Sequence, residues 1–152
     1  MTVEGCLACD LADGRRLLPG GRVLTEGGWI VEHCVGPLGV GTLIVKPERH
    51  VVRVSELSVE EAQGLGPLLR RVAAAVDELT SAEQVYVCLW SHAGGEPVHI
   101  HFVVQPVTRA AMTSHEAYGP ALQLAMFASG DGPPENEVVE FSARARQILD
   151  AA

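Results

Sequence analysis

Hydrophobic and polar positions alternate most clearly between Pro97 and Pro106, a stretch called here the histidine segment. Its alternating residues are Val98, His99, Ile100, His101, Phe102, Val103, Val104 and Gln105. A period of two residues is typical of a β-strand with one face in a core and one presenting polar groups. At about 3.3 Å per residue, His99 and His101 are predicted to lie roughly 6.5–7 Å apart on one face. Gly94 and Gly95, just upstream, allow close approach of a ligand. The histidine segment is therefore a candidate active site.

Shorter apolar runs predict the other strands of a sheet. Residues 22–25 and 29–34 flank a glycine pair and predict a hairpin, and residues 42–46 form a short run that ends at a proline. Residues 84–90 are so rich in apolar side chains that we expect a central strand. Because the glycine-rich turn 91–96 follows, this strand is predicted to pair antiparallel with the histidine segment.

Helical spacing appears in the middle of the chain. Ser58, followed three positions later by Glu61, is the pattern of a capping box and predicts a helix start. Apolar residues near helical spacing continue to about Thr80, which indicates a packing helix. They are Ala62, Leu65, Leu69, Val72, Val76 and Leu79.

The last forty residues also have a helical pattern. We expect one helix, capped by Thr113 or Ser114 and interrupted at Gly119, over about 113–127, and another over 135–149. The order of strands, helix, strands and helices predicts an α+β domain over residues 1–152. In such a domain the helices group against an antiparallel sheet.

Composition narrows the possible partners and the compartment. The formal charge of −8 argues against a nucleic-acid backbone or an anionic membrane as the main partner, but allows a small phosphorylated ligand in a local site. No apolar run of about 18 residues predicts a membrane span, and the first residues lack a signal-peptide pattern. We therefore expect a cytoplasmic protein with reduced thiols.

Four cysteines and several histidines supply candidate chemistry. Cys6 and Cys9 have the Cys-x-x-Cys spacing of half a zinc site, although a redox pair or two incidental thiols fit the same spacing. His50 follows the predicted strand 42–46, where a surface or hydrogen-bonded histidine is the ordinary alternative to a ligand. His92, in the glycine-rich turn, is predicted to face solvent.

These motifs together resemble the histidine triad (HIT) superfamily. Its pattern is three histidines at alternate positions of a strand followed by proline, with a glycine-containing turn upstream and an earlier strand ending in Pro-x-x-His. In this chain His99 and His101 match the first two histidines, Val103 stands at the third, and Pro47 to His50 match the earlier motif. The resemblance covers about residues 6–109, and residues 110–152 form a helical extension outside it.

The resemblance implies a nucleotide phosphohydrolase or nucleotidyl transferase acting on the α-phosphate of a nucleotide derivative, such as a dinucleoside polyphosphate. The family's second histidine is the nucleophile, which makes His101 the expected carrier of a nucleotidyl-histidine intermediate. Zinc-binding relatives hold the ion with the Cys-x-x-Cys pair, the Pro-x-x-His histidine and the first triad histidine. The corresponding ligands of a structural zinc are Cys6, Cys9, His50 and His99.

Other matched positions imply a nucleotide contact surface. The positions concerned are Cys34, Gly94, Gly95 and Glu96. Gln105, on the same predicted strand face as His101, either supplies a hydrogen bond to phosphate or is only a polar residue at the strand end. Three residues of the chain depart from the family pattern. Val103 cannot pass a proton to a leaving group, Glu96 replaces a hydroxyl that contacts phosphate, and Cys34 replaces an acidic residue that holds the ribose. The alternative function is therefore a catalytically impaired nucleotide-binding module with a structural zinc. The resemblance also implies a homodimer, joined through the helix at 58–80 and the strand at 84–90.

Overall fold

A five-stranded antiparallel sheet forms the centre of the molecule, which a computed structural model describes over residues 2–152. The strands are β1 Arg22–Glu26, β2 Trp29–His33, β3 Leu43–Pro47, β4 Gln84–Leu89, β5 His92–Ala93, β6 Glu96–Pro97 and β7 Phe102–Val107. The spatial order in the main sheet is β1-β2-β3-β7-β4, and β5 and β6 form a separate two-stranded ribbon. The helices are α1 Leu7–Ala12, α2 Val59–Thr80, α3 Arg109–His115, α4 Gly119–Ser129 and α5 Glu135–Asp150. This α+β architecture confirms the predicted fold class.

One face of the sheet packs on α2 and α5. Residues at alternate strand positions enter this core together with apolar residues of both helices. They include Trp29, Val31, Leu43, Val45, Val104, Leu68, Val72, Val76, Phe141, Ala145 and Leu149. The predicted packing role of α2 is thus confirmed, and the last helix, α5, contributes to the same core.

The start of α2 is fixed by the predicted capping box. Ser58 Oγ accepts a hydrogen bond from the backbone N–H of Glu61 at 3.1 Å, and the Glu61 carboxylate accepts one from the Ser58 N–H at 2.7 Å. Glu61 also receives two hydrogen bonds from Arg49, each 2.8 Å long, while its carbonyl accepts the indole N–H of Trp29. The first turn of α2 is therefore bound to the end of β3, next to His50.

The strand at 84–90 lies in a different place from the one predicted. It was expected to be central, yet β4 is the last strand of the sheet and pairs only with β7 among the described residues. Its side chains are exposed or half-buried, Val87 among them. Apolar density predicted burial by the sheet itself, but an edge strand with an apolar surface satisfies the same pattern. The antiparallel pairing of β4 and β7 is as predicted.

The histidine segment is not one continuous strand. Its first residue, Pro97, ends the β5–β6 ribbon, and regular pairing begins only at Phe102. Between them, the backbone N–H of Ile100 donates to the carbonyl of Val51 at 2.8 Å, and that of His101 donates to Ser91 Oγ. His99 and Ile100 are both buried, so strict alternation fails here. The chain leaves the sheet because these outside acceptors replace the strand partner.

The helices near the two ends also differ from the predictions. The helix expected from Thr113 or Ser114 begins earlier, at Arg109, because Thr108 caps it by accepting the N–H of Ala111. It stops at Glu116, whose φ of 49° is left-handed, before α4 begins. The short helix α1 over the Cys-x-x-Cys pair was not predicted. None of the helices in residues 2–152 is both long and apolar enough to cross a membrane.

Candidate functional site

Four possible metal ligands meet where α1 contacts the end of β3. One ligand atom from each of Cys6, Cys9, His50 and His99 lies within 4.8 Å of the other three. Cys9 Sγ is 3.4 Å from Nδ1 of both His50 and His99, and the two imidazole rings lie nearly perpendicular with centroids 5.2 Å apart. The four residues come from three separate parts of the sequence. The structure therefore brings together all four of the predicted ligands.

Hydrogen bonds hold His99 in the form that a metal ligand requires. Its Nε2 lies 2.9 Å from the carbonyl oxygen of Pro47, which can only accept, so Nε2 carries the proton. The lone pair is then on Nδ1, which faces Cys9. Burial lowers the pKa of His99 to about 4, and this keeps the ring neutral at ordinary pH.

The chemistry of the donor set fits zinc. Two sulfurs and two imidazole nitrogens form the Cys2His2 set that is typical of closed, four-coordinate structural sites. With metal–ligand distances of about 2.0–2.3 Å, tetrahedral ligand atoms lie roughly 3.3–3.8 Å apart, and the two contacts of 3.4 Å agree with that spacing. Cys9 is fully buried and burial raises the pKa of its thiol, which an ion would offset by binding the thiolate.

His101 differs from His99 in its surroundings. Its Nδ1 lies 3.1 Å from the backbone carbonyl of His99, so Nδ1 donates and Nε2 carries the lone pair. Among the described residues no group hydrogen-bonds to Nε2, and the half-buried ring lines a cavity of about 500 Å³. A neutral imidazole oriented in this way can act as a nucleophile or as a general base.

The cavity lies on the face of the sheet opposite α2. The helix α1 covers it with Leu7 and Leu11, while Ile44 and Val103 form part of the floor and Phe127 of α4 borders it. Most of the lining is apolar. Such a pocket next to a metal-type cluster and an available imidazole is a typical small-molecule site.

Two charged side chains interrupt the apolar floor. Glu32 of β2 and Lys46 of β3 form a buried ion pair with Nζ 2.5 Å from Oε1. Nζ also donates to the carbonyl of Ala8 at 2.8 Å and so connects α1 to the sheet. Burial raises the pKa of Glu32, and the neighbouring Lys46 charge opposes that shift.

The residues predicted to contact a nucleotide fall into three groups. Cys34 lines the cavity, and burial raises the pKa of its thiol to about 11, so it is neutral. Gly94, Gly95 and Glu96 form the exposed β5–β6 turn beside the cavity without lining it. Gln105 is fully buried and does not line the cavity. These positions are therefore not one continuous contact surface.

Gln105 has partners inside the protein instead of in the cavity. Its side-chain oxygen Oε1 accepts a hydrogen bond from Nε2 of Gln123 at 3.0 Å, and its own Nε2 contacts Met126 Sδ at 3.2 Å. Both partners belong to α4, which covers this part of the sheet. The side chain expected to contact phosphate thus fastens α4 to β7.

Several residues of the site were not predicted from the sequence. Glu32 and Lys46 lie within apolar runs, and their two-residue spacing from other cavity-facing positions was the only signal that pointed to them. His92 was expected to face solvent. It is exposed, as predicted, but also lines the cavity. His33, fully inside, donates to the carbonyl of Cys34 and accepts the N–H of Gly41, which fixes the loop beside the cavity.

Solved structures with the same architecture include several HIT proteins. A HIT-like protein from Bartonella henselae, involved in cell-cycle regulation, superimposes with a TM-score of 0.72 at 16% identity over 97% of this chain and 98% of that one. A hypothetical histidine triad nucleotide-binding protein from Sulfolobus tokodaii gives a TM-score of 0.71 at 13% identity over 96% and 93% of the two chains. No protein-family model matches the sequence, and no curated protein is similar enough in sequence to count as a match.

A third neighbour contains a metal. The zinc-bound histidine triad protein from Mycobacterium smegmatis gives a TM-score of 0.63 at 18% identity, covering 97% of this chain and 98% of that one. The fold of this chain is therefore that of the histidine triad superfamily, as the sequence motifs predicted. Within that fold the chain has His99, His101 and Val103 at alternate positions and a cluster of four possible metal ligands.

Proposed function

We propose that this protein is a nucleotide phosphohydrolase or nucleotidyl transferase in which His101 is the nucleophile. The observation that carries the proposal is the orientation of His101, with Nδ1 bonded to the carbonyl of His99 and Nε2 without a partner beside the cavity. The substrate class is a nucleotide derivative with a leaving group on its α-phosphate, such as a dinucleoside polyphosphate. This class follows from the fold shared with the HIT proteins.

The proposed reaction has two displacements at phosphorus. The Nε2 lone pair of His101 attacks the α-phosphorus, so that a P–N bond forms and the bond to the leaving group breaks with its electron pair. An amine leaving group takes up a proton from solvent in this step. The His99 carbonyl stabilises the positive charge that develops on the ring by accepting from Nδ1–H. Water, or another acceptor, then attacks the same phosphorus. The P–N bond breaks, and the acceptor's proton is released to solvent or a nearby base.

Zinc is proposed to be structural in this scheme. Cys6, Cys9, His50 and His99 would hold it, and it would supply rigidity to the segment that carries His101. Because His99 both reaches the cluster and presents its carbonyl to His101, the cluster and the nucleophile are linked through one residue. A site closed by four protein ligands would leave no open position for the substrate.

A second candidate is a nucleotide-binding module with little turnover. It is favoured by Val103, which cannot donate a proton to a leaving group, and by the neutral thiol of Cys34, which is a poor acceptor for ribose hydroxyls. Binding of adenosine 5′-monophosphate in calorimetry, combined with no hydrolysis of any nucleotide derivative, would favour this candidate.

Hydrolysis assays on zinc-loaded protein test the proposed activity. Diadenosine tetraphosphate and adenosine 5′-phosphoramidate are suitable substrates. His101→Ala should lower kcat by at least about 10³-fold, because the nucleophile is lost. His115→Ala is the matched control, since His115 lies on α3 and does not line the cavity, and it should retain wild-type turnover. Equal activity in wild type and His101→Ala would refute the assignment.

We also infer that the protein is a homodimer whose subunits join through β4 and α2. The support is the exposed edge of β4, where Val87 is 45% exposed and the outer backbone groups have no strand partner in residues 2–152. Light scattering should give twice the mass of one chain. Val87→Lys should shift the protein toward monomer, and a wild-type monomer at micromolar concentration would contradict the inference.

The chain is further proposed to form a single HIT-like domain that includes the C-terminal helices. Phe141, Ala145 and Leu149 of α5 are buried in the same core as the strands, which supports this view. Limited proteolysis should leave α5 attached to the core, and early release of a stable fragment lacking it would contradict the proposal.

A further inference from the structure

The ion pair of Glu32 and Lys46 is the main polar feature of the cavity floor. On the paired strands β2 and β3, Glu32 lies opposite Ile44 and Lys46 lies opposite Ile30, so both charges share the face that bears the cavity. Their side chains are only 2% and 1% exposed. Burying two charges costs several kcal/mol per ion unless their hydrogen bonds are complete, so the completeness of the bonding matters.

The hydrogen bonds of the pair are incomplete. The Lys46 ammonium uses two of its donors, on Glu32 Oε1 at 2.5 Å and on the carbonyl of Ala8 at 2.8 Å. Glu32 Oε2 is buried, and no donor among the described residues reaches it. A buried carboxylate oxygen without a partner is costly, and a donor brought by a ligand removes that cost. The vacant acceptor therefore favours one type of ligand group.

The chemistry of the vacant acceptor excludes the phosphate as its partner. The pair has no net charge, and the lone pairs of Oε2 repel an anion. The proposed reaction places the α-phosphate at His101, and the rest of the ligand must occupy the remaining cavity. A neutral N–H or O–H group suits Oε2, and a nucleoside offers two such sources: an amino group on the base and the ribose hydroxyls.

We propose that Glu32 is a specificity-determining residue whose Oε2 accepts a hydrogen bond from an amino or hydroxyl group of the bound nucleoside. Lys46 is a positioning residue, since it holds Oε1 and leaves Oε2 as the unpartnered acceptor. The inference rests on the proposed function, because it takes the cavity as the nucleotide site. Beyond that function, the inference identifies the nucleoside as the part of the substrate that the protein selects.

Calorimetry on zinc-loaded, full-length protein separates the two sources. The probes are adenosine 5′-monophosphate and three analogues that each lack one donor: purine riboside 5′-monophosphate, which lacks the amine, and the 2′-deoxy and 3′-deoxy nucleotides. Hydrogen bonds to a charged group contribute about 1.5–3 kcal/mol, so losing the relevant donor should weaken binding by about 10- to 100-fold. One analogue should show this loss, and its identity assigns the donor.

Glu32→Gln tests whether that loss comes from Glu32. The glutamine amide keeps the shape of the side chain and can still accept the Lys46 ammonium, but it turns an N–H₂ toward the ligand. Adenosine 5′-monophosphate should then bind at least about 10-fold more weakly than it binds the wild type. The analogue that lacks the relevant donor should bind this variant as tightly as adenosine 5′-monophosphate does. A purely structural role for Glu32 would weaken all four probes equally.

A second variant tests the same role in case Glu32→Gln does not fold. Glu32→Leu combined with Lys46→Met removes both charges at similar volume, a replacement that buried ion pairs often tolerate. Its zinc content and circular dichroism should match those of the wild type, and it should bind the probes without discriminating among them.

Two outcomes overturn the inference in different ways. Equal affinity of the wild type for all four probes, or a penalty that persists in both variants, contradicts the role of Glu32 and leaves the proposed function intact. Failure of the wild type to bind adenosine 5′-monophosphate, together with no turnover of the two nucleotide substrates, contradicts the proposed function and removes the inference with it.

Discussion

The two faces of the central sheet are built from the same strands but in different ways. On the face toward α2, Trp29, Val31 and Leu43 pack in an apolar core with no buried charge between them. On the opposite face, Glu32 and Lys46 occupy the intervening positions, beside the cavity. The first face packs against helices through apolar side chains, and the second face lines the cavity.

The difference separates what stabilises the fold from what binds a ligand. The α2 face draws its stability from burial of apolar area, which is large because two helices cover it. The apolar residues of the cavity face, such as Ile44 and Val103, border a space, and next to them lies a buried ion pair with one unpartnered oxygen, Glu32 Oε2. We therefore expect the cavity face to depend more on the metal cluster for its order, because part of it borders a space instead of packed side chains.

Removal of the metal site should have the largest effect on stability. Replacing Cys6 and Cys9 together by serine removes two of the four ligands and releases α1 from the sheet. Structural zinc sites contribute several kcal/mol or more to folding, so the Tm should fall by roughly 10 °C or more. Differential scanning calorimetry with metal analysis measures both quantities.

Cys88→Ser is the matched control for that double variant. Cys88 is half-buried on β4 and lies outside the cluster, and serine can keep its contact with the Gln123 amide. This control should retain the zinc and the Tm of the wild type. A near-zero zinc content in both wild type and double variant would contradict the four-ligand site.

Adjacent residues of β3 allow a direct comparison of the two faces. Leu43 is fully buried in the α2 core, whereas Ile44 is 9% exposed on the cavity side. Leu43→Ala should lower the free energy of unfolding by about 2–5 kcal/mol, because it opens a new void in a packed core. Ile44→Ala should cost less, because it enlarges a space that is already there. Urea denaturation of the two variants measures the difference, and equal losses would remove the proposed contrast between the faces.

The loop between β2 and β3, residues 34–42, should lose stability in mild acid. His33 accepts the Gly41 N–H through Nε2, and burial lowers its pKa below the usual 6.5. Above pH 6.5 the ring is neutral in the folded and unfolded states, and no stability depends on pH through it. Below pH 6.5 the unfolded chain binds a proton that the folded protein resists, so stability falls by at most about 1.4 kcal/mol per pH unit.

A variant without that imidazole isolates its contribution. His33→Asn should show a smaller loss of Tm between pH 7 and pH 5.5 than the wild type, whatever its absolute stability. Parallel pH profiles for the two proteins would show that His33 does not cause the dependence.

The helix cap should have the smallest effect of this series. Ser58→Ala removes the hydrogen bond to the Glu61 N–H and should cost about 1 kcal/mol. Because the cap belongs to the α2 side, zinc content and nucleotide affinity should remain at the wild-type level. A loss of zinc in this variant would show that the two faces are coupled through the start of α2, where Arg49 lies beside His50.

The sequence predicted the α2 face well because apolar periodicity and a capping box are local signals. The hairpin of β1 and β2, the helix after Ser58 and the last helix all follow from neighbouring residues. The position of β4 could not be predicted, because an apolar strand can be buried either by its own sheet or by another subunit. The exit of Val98 to His101 from the sheet depends on Val51 and Ser91, which are distant in sequence.

The site was predictable in part for a similar reason. Cys6, Cys9, His50 and His99 are recognised by spacing and by resemblance, and the structure brings them together. Glu32 and Lys46 give no such motif. Their roles depend on the register of β2 against β3, which decides that two charges 14 residues apart meet on one face. The burial of Gln105 follows from α4, a helix outside the resemblance.

Detection of a covalent intermediate would test whether His101 is the nucleophile. Zinc-loaded protein should be mixed with adenosine 5′-phosphoramidate, denatured at alkaline pH within seconds to preserve a P–N bond, and digested for mass spectrometry. We predict an adenylyl group on His101 itself, in the peptide that contains it, and no adduct in His101→Ala. Turnover with the adduct on another residue, or undiminished turnover in His101→Ala, would contradict it.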